Sequence, residues 1–431
     1  HRLAVDMRAW GDYEKARALD EDTLSRRRRA LGADHPDSLA SALNLAMDLS
    51  ALGDYQRARE LSEQTLTRSC RVLGSDHPAT LRSAHNLAND LRILGEHERA
   101  CELSEDTVER RRQVLGSDHP ATLRSANNLA VDLRALGRCE EARATSEETL
   151  TRCRETLGED HAHTLTSAHN LANDLRELGR PAQACALGQD TLTRCRRTLG
   201  EDHPYTLASA HDLARDLHAL GEHEQACQLN QNTHGRRYRV LGPDHRDTLA
   251  SANNLALDLR ALGDYQHART LDQDTLTRYQ HTLGPDHPYT LASAHNLARD
   301  LHALGEHEQA RQLDQDTHDR RHRVLGPDHR DTLASANNLA LDLRALGDYQ
   351  HARTLDQDTL TRCRRTLGED HPNTLTSAYN LARDLHALGE HEQARHLNRD
   401  TLSHCHQTPH SAQPRTRQLA EWITSHHASG E

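Results

Sequence analysis

The sequence predicts an all-α solenoid built from a stack of similar helix-turn-helix repeats, and two observations support this prediction. An Asp-His pair recurs every 42 residues without a slip, from Asp34-His35 to Asp370-His371. A fixed period of this length is typical of repeat architectures, in which one supersecondary unit is stacked many times. Nineteen of the 22 glycines fall at only two positions of this period. They place a turn after each helix, because a helix commonly ends on a left-handed glycine.

Each repeat is predicted to contain two amphipathic helices. In the repeat that starts near residue 33, apolar residues follow the spacing i, i+3, i+6, i+7, i+10 and i+13, at Leu39, Ala42, Leu45, Ala46, Leu49 and Leu52. This spacing gives one apolar face to an α-helix, which ends at Gly53. A second apolar face runs from Tyr55 to Leu73 and ends at Gly74. No segment alternates with a period of two, so no strand is predicted.

The 42-residue period sets the domain organisation. Residues 1–407 are predicted to form the solenoid, with a partial first repeat over residues 1–32, because the register places His1 inside a first helix. Nine full repeats then start near residues 33, 75, 117, 159, 201, 243, 285, 327 and 369. The register breaks near the end of the chain, and residues 411–428 are predicted to be a helix that caps the last repeat. Because the chain starts in mid-repeat, we expect a fragment of a longer protein, with a further domain fused before His1.

Composition argues against several classes of function. The formal net charge of −12 argues against a nucleic-acid partner. No apolar run approaches the roughly 18 residues of a membrane span, so no membrane partner is expected. The nine cysteines include no Cys-x-x-Cys pair and are expected to be free thiols in a reducing cytoplasm. Because nearly all glycines end helices, none forms a phosphate-binding loop, and no cofactor is expected.

The Asp-His pairs are predicted to be structural, although both residue types are common in catalytic and metal sites. Each pair lies between a helix-ending glycine and, in six of nine copies, a proline such as Pro78. Proline favours the first position of a helix, and an Asp just before it can accept backbone N–H groups. Metal ligands converge to within about 2.0–2.6 Å of one ion, whereas pairs in neighbouring repeats should stand about 10 Å apart. We therefore expect no metal site and no active site, and no enzyme activity.

The repeat resembles the tetratricopeptide repeat in its long, 42-residue form, as found in kinesin light chains. The matching motif is L-G-x-D-H-P-x-T-L-x-S-x-x-N-L-A-x-D-L-x-x-L-G-x-x-x-x-A, with small residues such as Ala46 and Ala58 at the close helix contacts. The resemblance implies a right-handed α-solenoid whose first helices line a concave groove. One position departs from the family, because polar or small residues replace the large aromatic residue in the middle of the second helix. This departure predicts looser packing of that helix. The replacements are Ser62, Ser104, Ser146, Gly188, Asn230, Asp272, Asp314, Asp356 and Asn398.

The composition and motifs also resemble the repeat tails of bacterial signalling ATPases, in which such arrays follow an NB-ARC-type nucleotide-binding domain. This resemblance implies an alternative function, the ligand-sensing regulatory arm of a larger ATPase. Successive repeats in the later part of the chain alternate between two types, HNLARDLHALGEHEQA and NNLALDLRALGDYQHA.

The resemblance places the residue before each Leu-Ala pair of the first helix in the groove, where the amide of an Asn holds the backbone of a bound peptide. Asn suits this role because it offers a donor and an acceptor to any peptide group. In the alternative interpretation, each Asn bonds its own or a neighbouring helix. The candidate peptide-binding asparagines are Asn44, Asn86, Asn128, Asn170, Asn254, Asn296, Asn338 and Asn380.

Arginines accompany these asparagines on the same predicted face. They favour an acidic partner, since Arg binds carboxylates through paired N–H donors. An equally open alternative is that the repeated Asp of the same helix, such as Asp90, neutralises them on a solvated face. The arginines are Arg92, Arg134, Arg176, Arg260, Arg344, Arg215, Arg299 and Arg383. The sequence therefore predicts a non-catalytic scaffold in the cytoplasm that binds an extended, acidic protein or peptide segment.

Overall fold

The structure, a computed structural model, describes residue 7 and residues 13–407. Over these residues the chain is all-α, with nineteen helices and no strand. It falls into two compact halves, His1–Glu222 and His223–Glu431. The predicted capping helix at 411–428 and the first helix of the partial repeat, apart from residue 7, lie outside the described residues.

Even-numbered helices are the first helices of repeats, and odd-numbered helices are the second helices. The amino-terminal half contains α1 (Tyr13–Leu31), α2 (Pro36–Ala51), α3 (Tyr55–Leu73), α4 (Pro78–Ile93), α5 (His97–Leu115), α6 (Pro120–Ala135), α7 (Cys139–Leu157), α8 (Ala162–Glu177), α9 (Pro181–Leu199) and α10 (Pro204–Ala219). The carboxy-terminal half contains α11 (His223–Leu241), α12 (Arg246–Ala261), α13 (Tyr265–Leu283), α14 (Pro288–Ala303), α15 (His307–Leu325), α16 (Arg330–Ala345), α17 (Tyr349–Leu367), α18 (Pro372–Ala387) and α19 (His391–Gln407).

Every described first helix begins at an Asp-His pair, but the capping atom differs from the prediction. At the start of α4, Nδ1 of His77 accepts a hydrogen bond from the backbone N–H of Ala79 at 3.1 Å. The backbone of His77 is extended, with φ −67° and ψ 136°, as is usual for the residue that caps a helix. His rather than Asp therefore supplies the cap, because Asp76 lies one residue too early to reach the free N–H groups of the first turn.

In at least eight of the nine pairs the Asp instead binds the second helix that follows in the same repeat. Asp34 accepts a hydrogen bond from Arg68 at 2.7 Å. Asp118 accepts one from Arg152 at 2.9 Å. These side chains are partly exposed, so each ion pair contributes little to the stability of the fold. Their role is to hold the loop between repeats against the second helix.

Glycine ends the helices as predicted. Gly53, between α2 and α3, has φ 83°, and Gly74, between α3 and α4, has φ 89°. A residue with a Cβ rarely adopts such angles, whereas glycine does so without steric cost. The two glycine positions of each repeat therefore produce the two chain reversals on which the stack depends.

Leucine and alanine form the core of each half. One cluster in the amino-terminal half joins Leu24, Ala42, Leu45, Leu49 and Ala58. Ala58 is completely buried, which confirms the predicted close contact between helices at this position. Within each half, first helices also contact the next first helix, as α2 does α4 and α14 does α16. Side chains on consecutive first helices therefore lie next to one another.

The middle of the second helix is buried at seven of the nine positions, contrary to the expectation from its polar residues, and only Gly188 and Asn398 are partly exposed. Ser62 is completely buried and Asn230 is 1% exposed. The hydroxyl of Ser62 donates to Asp90 of the next first helix at 2.8 Å. Nδ2 of Asn230 donates to Asp258 at 2.7 Å. A buried polar pair thus fills the space for which an aromatic ring was expected.

Candidate binding groove

In the carboxy-terminal half, α14, α16 and α18 border a groove of about 910 Å³. It brings together four of the predicted site residues: Arg299 of α14, Asn338 and Arg344 of α16, and Asn380 of α18. The other predicted asparagines and arginines occupy equivalent positions on their own first helices and do not line this groove.

The groove also contains polar residues that sequence reasoning missed. Asn373 and Thr376 lie seven and four residues before Asn380, and Asp331 lies seven residues before Asn338. These spacings place them on the same face of α18 and α16 as the asparagines. The signal was therefore present in the helical period, which extends the predicted face toward the start of each first helix.

Several predicted asparagines bond to the preceding first helix, as the alternative interpretation held. Nδ2 of Asn128 donates to Oδ1 of Asn89 at 2.8 Å, and Nδ2 of Asn170 donates to the backbone carbonyl of Asn127 at 3.3 Å. In the groove, Nδ2 of Asn338 lies 3.3 Å from Nδ1 of His295. The amide nitrogens of these residues are engaged within the protein.

Five of the predicted arginines are held by Asp, but this Asp belongs to the next repeat rather than to the same helix. Arg92 lies 3.3 Å from Asp132, and Arg134 lies 2.6 Å from Asp174. The side chains of these aspartates are 2% and 0% exposed, so the pairs belong to the interface between repeats and not to a solvated face. The equivalent pairs are Arg176–Asp216, Arg260–Asp300 and Arg344–Asp384.

The arginines therefore form two classes. Arg260 and Arg344 are only 8% and 7% exposed, and aspartates surround their guanidinium groups. Arg215, Arg299 and Arg383 are exposed on their first helices. Of the arginines predicted to bind a partner, these three are exposed, whereas Arg92 and Arg134 lie between the classes, with side chains 25% and 19% exposed.

Two carboxyl groups meet in three of the repeat interfaces. Burial, opposed by Arg260 and reinforced by Asp300, raises the pKa of Asp272 to about 8. Burial and the neighbouring Asp342 raise the pKa of Asp314 to about 9. Two carboxylates this close cannot both ionise readily, so each pair retains a proton at neutral pH. The three pairs are Asp272 with Asp300, Asp314 with Asp342, and Asp356 with Asp384.

The groove carries a surplus of positive charge although the whole chain is acidic. Arg299 and Arg330 both line it, while the single lining carboxylate, Asp331, lies 3.4 Å from Arg330. Burial, followed by the charge of Arg321, lowers the pKa of His295 to about 3, so this imidazole is neutral. The arrangement suits an anionic ligand that also offers peptide groups to the asparagines.

One group of described residues has the side chains and spacing to hold a metal ion. The donor atoms of His302, His307 and Asp342 lie within 4.8 Å of one another. Along the described part of the chain, no helix is both long and apolar enough to cross a membrane.

The chain matches the profile of the tetratricopeptide repeat family in nine overlapping windows. They cover residues 1–70, 38–100, 80–155, 125–184, 163–231, 218–280, 247–321, 291–362 and 331–405. A comparison with curated protein sequences gives no match.

Two solved structures share the fold, and a third is similar in sequence over about half of this chain. The quorum sensor NprR from B. thuringiensis, in its apo form, is 13% identical over 85% of this chain and 99% of its own, with a TM-score of 0.60. A signal transduction ATPase with numerous domains from Pyrococcus horikoshii, which has a tetratricopeptide repeat sensor, is 12% identical over 96% of this chain and 67% of its own, with a TM-score of 0.57. A Podosopora anserina protein, described as a kinesin light chain with nearly identical repeats, is 31% identical over 48% of this chain and 98% of its own, with a TM-score of 0.45.

Proposed function

Because the chain belongs to the tetratricopeptide repeat family, we propose that it is a non-catalytic protein-interaction scaffold whose carboxy-terminal half binds an extended, acidic protein or peptide segment. The observation that carries the proposal is the groove of about 910 Å³ in which Arg299, Asn338 and Asn380 stand together. The nine free thiols favour action in the cytoplasm, where thiols stay reduced.

The spacing of the first helices suits an extended chain that crosses them. Packed helices stand about 8–10 Å apart, and an extended peptide advances about 3.3 Å per residue. One repeat therefore corresponds to about three residues of the ligand. Asn338 and Asn380, on consecutive first helices, would meet peptide groups about three residues apart.

The contacts of the groove assign a role to each polar group. Because Nδ2 of Asn338 already lies 3.3 Å from His295, its Oδ1 is the atom expected to accept a peptide N–H. Arg299 and Arg330 would bind carboxylates of the ligand through paired N–H donors. Arg344 would act indirectly, since its guanidinium group is held by Asp356 at 2.5 Å.

The first experiment identifies a ligand and the second tests the site. An array of random octapeptides is probed with the purified chain, and the strongest binder is measured by titration calorimetry at low and high salt. We expect binders rich in Asp and Glu. Their affinity should fall with salt, because the screening length is about 10 Å at 0.1 M. Asn380→Ala should weaken binding by about 0.5–1.5 kcal/mol, the usual net contribution of a hydrogen bond.

Arg299→Ala should weaken binding and reduce its dependence on salt. Arg215→Ala is the matched control, because Arg215 is also exposed and occupies the same repeat position in the other half. The proposal fails if the selected peptides are not acidic. It fails equally if Arg299→Ala and Asn380→Ala bind as the unchanged chain does, or if Arg215→Ala loses as much affinity as Arg299→Ala.

A second candidate function is the sensor arm of a signal transduction ATPase. It is favoured by the likeness of fold to the Pyrococcus horikoshii protein, which extends over 96% of this chain. In this function a ligand in the groove would regulate an attached nucleotide-binding domain. The test is to express the complete gene product and measure ATP hydrolysis with and without the selected peptide. Absence of a nucleotide-binding domain from that product would refute this second function and leave the first intact.

A further inference from the structure

In the interface between the α14–α15 repeat and α16, two histidines occupy the positions that hold Arg and Tyr in the two flanking repeats. The residues at 260, 302 and 344 are Arg, His and Arg, and those at 265, 307 and 349 are Tyr, His and Tyr. His302 lies at the end of α14, and His307 is the first residue of α15. The exchange therefore changes both sides of a single turn.

In the flanking interfaces the Arg compensates a buried pair of acids. Arg260 lies 2.8 Å from Asp272 and 2.7 Å from Asp300. Arg344 makes the same two contacts with its own pair of aspartates. Buried carboxylates require such a partner, because removing them from water is costly unless an opposite charge or a hydrogen bond replaces the solvent.

The middle interface contains the same pair of acids with His302 in place of the Arg. Nδ1 of His302 lies 2.6 Å from Oδ1 of Asp342. Asp314 is 2% exposed, and its buried Oδ1 has no hydrogen-bond partner apart from the neighbouring carboxyl group of Asp342. The buried Nδ1 of His307 has no hydrogen-bond partner.

Three of these residues, His302, Asp314 and Asp342, line a small cavity of about 110 Å³. Its size exceeds the roughly 30 Å³ that one water molecule occupies in the liquid. Arg299 also lines the cavity, and the charges of Arg321 and Arg299 both act on Asp314, so a bound cation would have to tolerate two arginines. On binding, the ion would displace the proton that the two carboxyl groups share into solvent, and the two carboxylates would then offset that charge.

We propose that His302, His307 and Asp342 bind a divalent transition-metal ion of the zinc type, with Asp314 as the fourth ligand. Imidazole nitrogen and carboxylate oxygen are the usual zinc ligands together with thiolate, and four of them satisfy a tetrahedral ion. Donor atoms of such a site are about 3.4 Å apart for bonds near 2.1 Å, whereas the three donors here lie within 4.8 Å. Nδ1 of His302 and Oδ1 of Asp342, 2.6 Å apart, have to separate by about 0.8 Å, and the donors that lie farthest apart have to close by up to about 1.4 Å. Rotation of the two partly exposed imidazoles can provide both changes.

The bound ion would connect three helices from two consecutive repeats. Two of its ligands flank the turn between α14 and α15, and Asp342 belongs to α16. Arg299 and Asn338 line both this cavity and the groove. The ion would therefore hold together α14 and α16, the helices that carry Arg299 and Asn338. The linker Asp-His pairs take no part, in keeping with their role as helix caps.

The test uses the whole chain, stripped with a chelator and then titrated with Zn²⁺ alone. We expect one Zn²⁺ per chain to remain after dialysis, and Co²⁺ in its place to show the visible absorption of a four-coordinate ion. The double variant His302→Arg/His307→Tyr recreates the residues of the flanking repeats, so it should fold with unchanged helical content. Its affinity for Zn²⁺ should drop by more than about 100-fold, since changes even to groups behind a metal ligand cost about 10–100-fold.

A second double variant, His386→Arg/His391→Tyr, is the matched control. It alters the same histidine pair in the last described repeat, where Nδ1 of His386 lies 3.1 Å from Nδ1 of His391. No following first helix with its Asp is described there. The control should bind Zn²⁺ as the unchanged chain does. The proposal is overturned if the unchanged chain retains no Zn²⁺, if His302→Arg/His307→Tyr binds normally, or if the control loses the ion. Should the first variant fold poorly, His307→Gln on the partly exposed turn replaces it, with the same expected loss.

Discussion

Replacing Asp272 by Asn tests whether the paired acids of the repeat interfaces retain a proton. Asp272 has a pKa of about 8 in the folded chain, raised chiefly by burial, against 3.8 for a free Asp. Between these values the folded state binds one proton that the unfolded state has released. Stability is then fully present below about pH 4 and is lost as the pH rises toward 8. The slope is about 1.4 kcal/mol per pH unit for one proton, which is a factor of ten.

The substitution Asp272→Asn should remove this slope, because an amide does not titrate. Asn230 shows that an amide fits this position, since its Nδ2 donates to Asp258 at 2.7 Å in the equivalent interface. The amide introduced by the substitution should likewise donate to Asp300, which keeps Arg260 as its charged partner. The difference in local stability between the two proteins should change by about 2.7 kcal/mol from pH 5 to pH 7.

Hydrogen exchange measured by mass spectrometry on peptides from α13 and α14 reports this local stability, after correction for the intrinsic effect of pH. Protection in the unchanged chain, divided by that in Asp272→Asn, should fall about tenfold per pH unit. Asp274→Asn is the control, because Asp274 is exposed and pairs with Arg278 of the same helix. A ratio that stays constant from pH 5 to pH 7 would show that Asp272 is already ionised and would refute the shared proton.

Four further substitutions probe the turns, the core and the caps by thermal unfolding. Gly284→Ala should destabilise the chain by about 1–3 kcal/mol, because Gly284 has φ 88°. Gly235→Ala should stabilise it by about 0.5–1 kcal/mol, because Gly235 lies inside α11 with no atom within 4 Å of an added Cβ; equal effects of the two would refute the turn geometry. Ala268→Leu should cost about 1–3 kcal/mol, since Ala268 is completely buried, and an unchanged melting temperature would indicate a looser core. His329→Ala should cost about 0.5–2 kcal/mol, because Nδ1 of His329 accepts the backbone N–H of Asp331 at 3.2 Å; no loss would assign the cap to another group.

The local features of the fold could be predicted from the sequence because they depend on neighbours along the chain. Gly53 and Gly74 mark helix ends through a backbone preference that acts on single residues. Ala58 marks a close helix contact because only a small side chain fits where two helices approach. The prediction that the Asp of each linker pair caps the helix was wrong by one residue, since both members of the pair can accept a backbone hydrogen bond.

The contacts between repeats could not be predicted in the same way. Arg92 reaches Asp132, forty residues later, and the 42-residue period alone does not say which residues of adjacent first helices face each other. The prediction that Asp90, on the same helix, neutralises such an Arg placed the charge balance on the wrong repeat. The burial of Ser62 was also missed, because a polar residue was taken as evidence of loose packing rather than of a buried hydrogen bond.

The buried Asp at the same position of every described first helix has a consequence for how such a chain can evolve. This acceptor is met by serine, arginine or histidine from the preceding first helix. Serine, asparagine or aspartate from the preceding second helix also meets it, except at Asp216, where the facing residue is Gly188. A gain or loss of one whole 42-residue segment by unequal recombination therefore leaves every new junction with a combination of the same kinds of residue. The number of repeats can therefore change during evolution without producing an interface in which the buried Asp lacks a partner. The length of the chain is then selected only by the distance that the solenoid has to span.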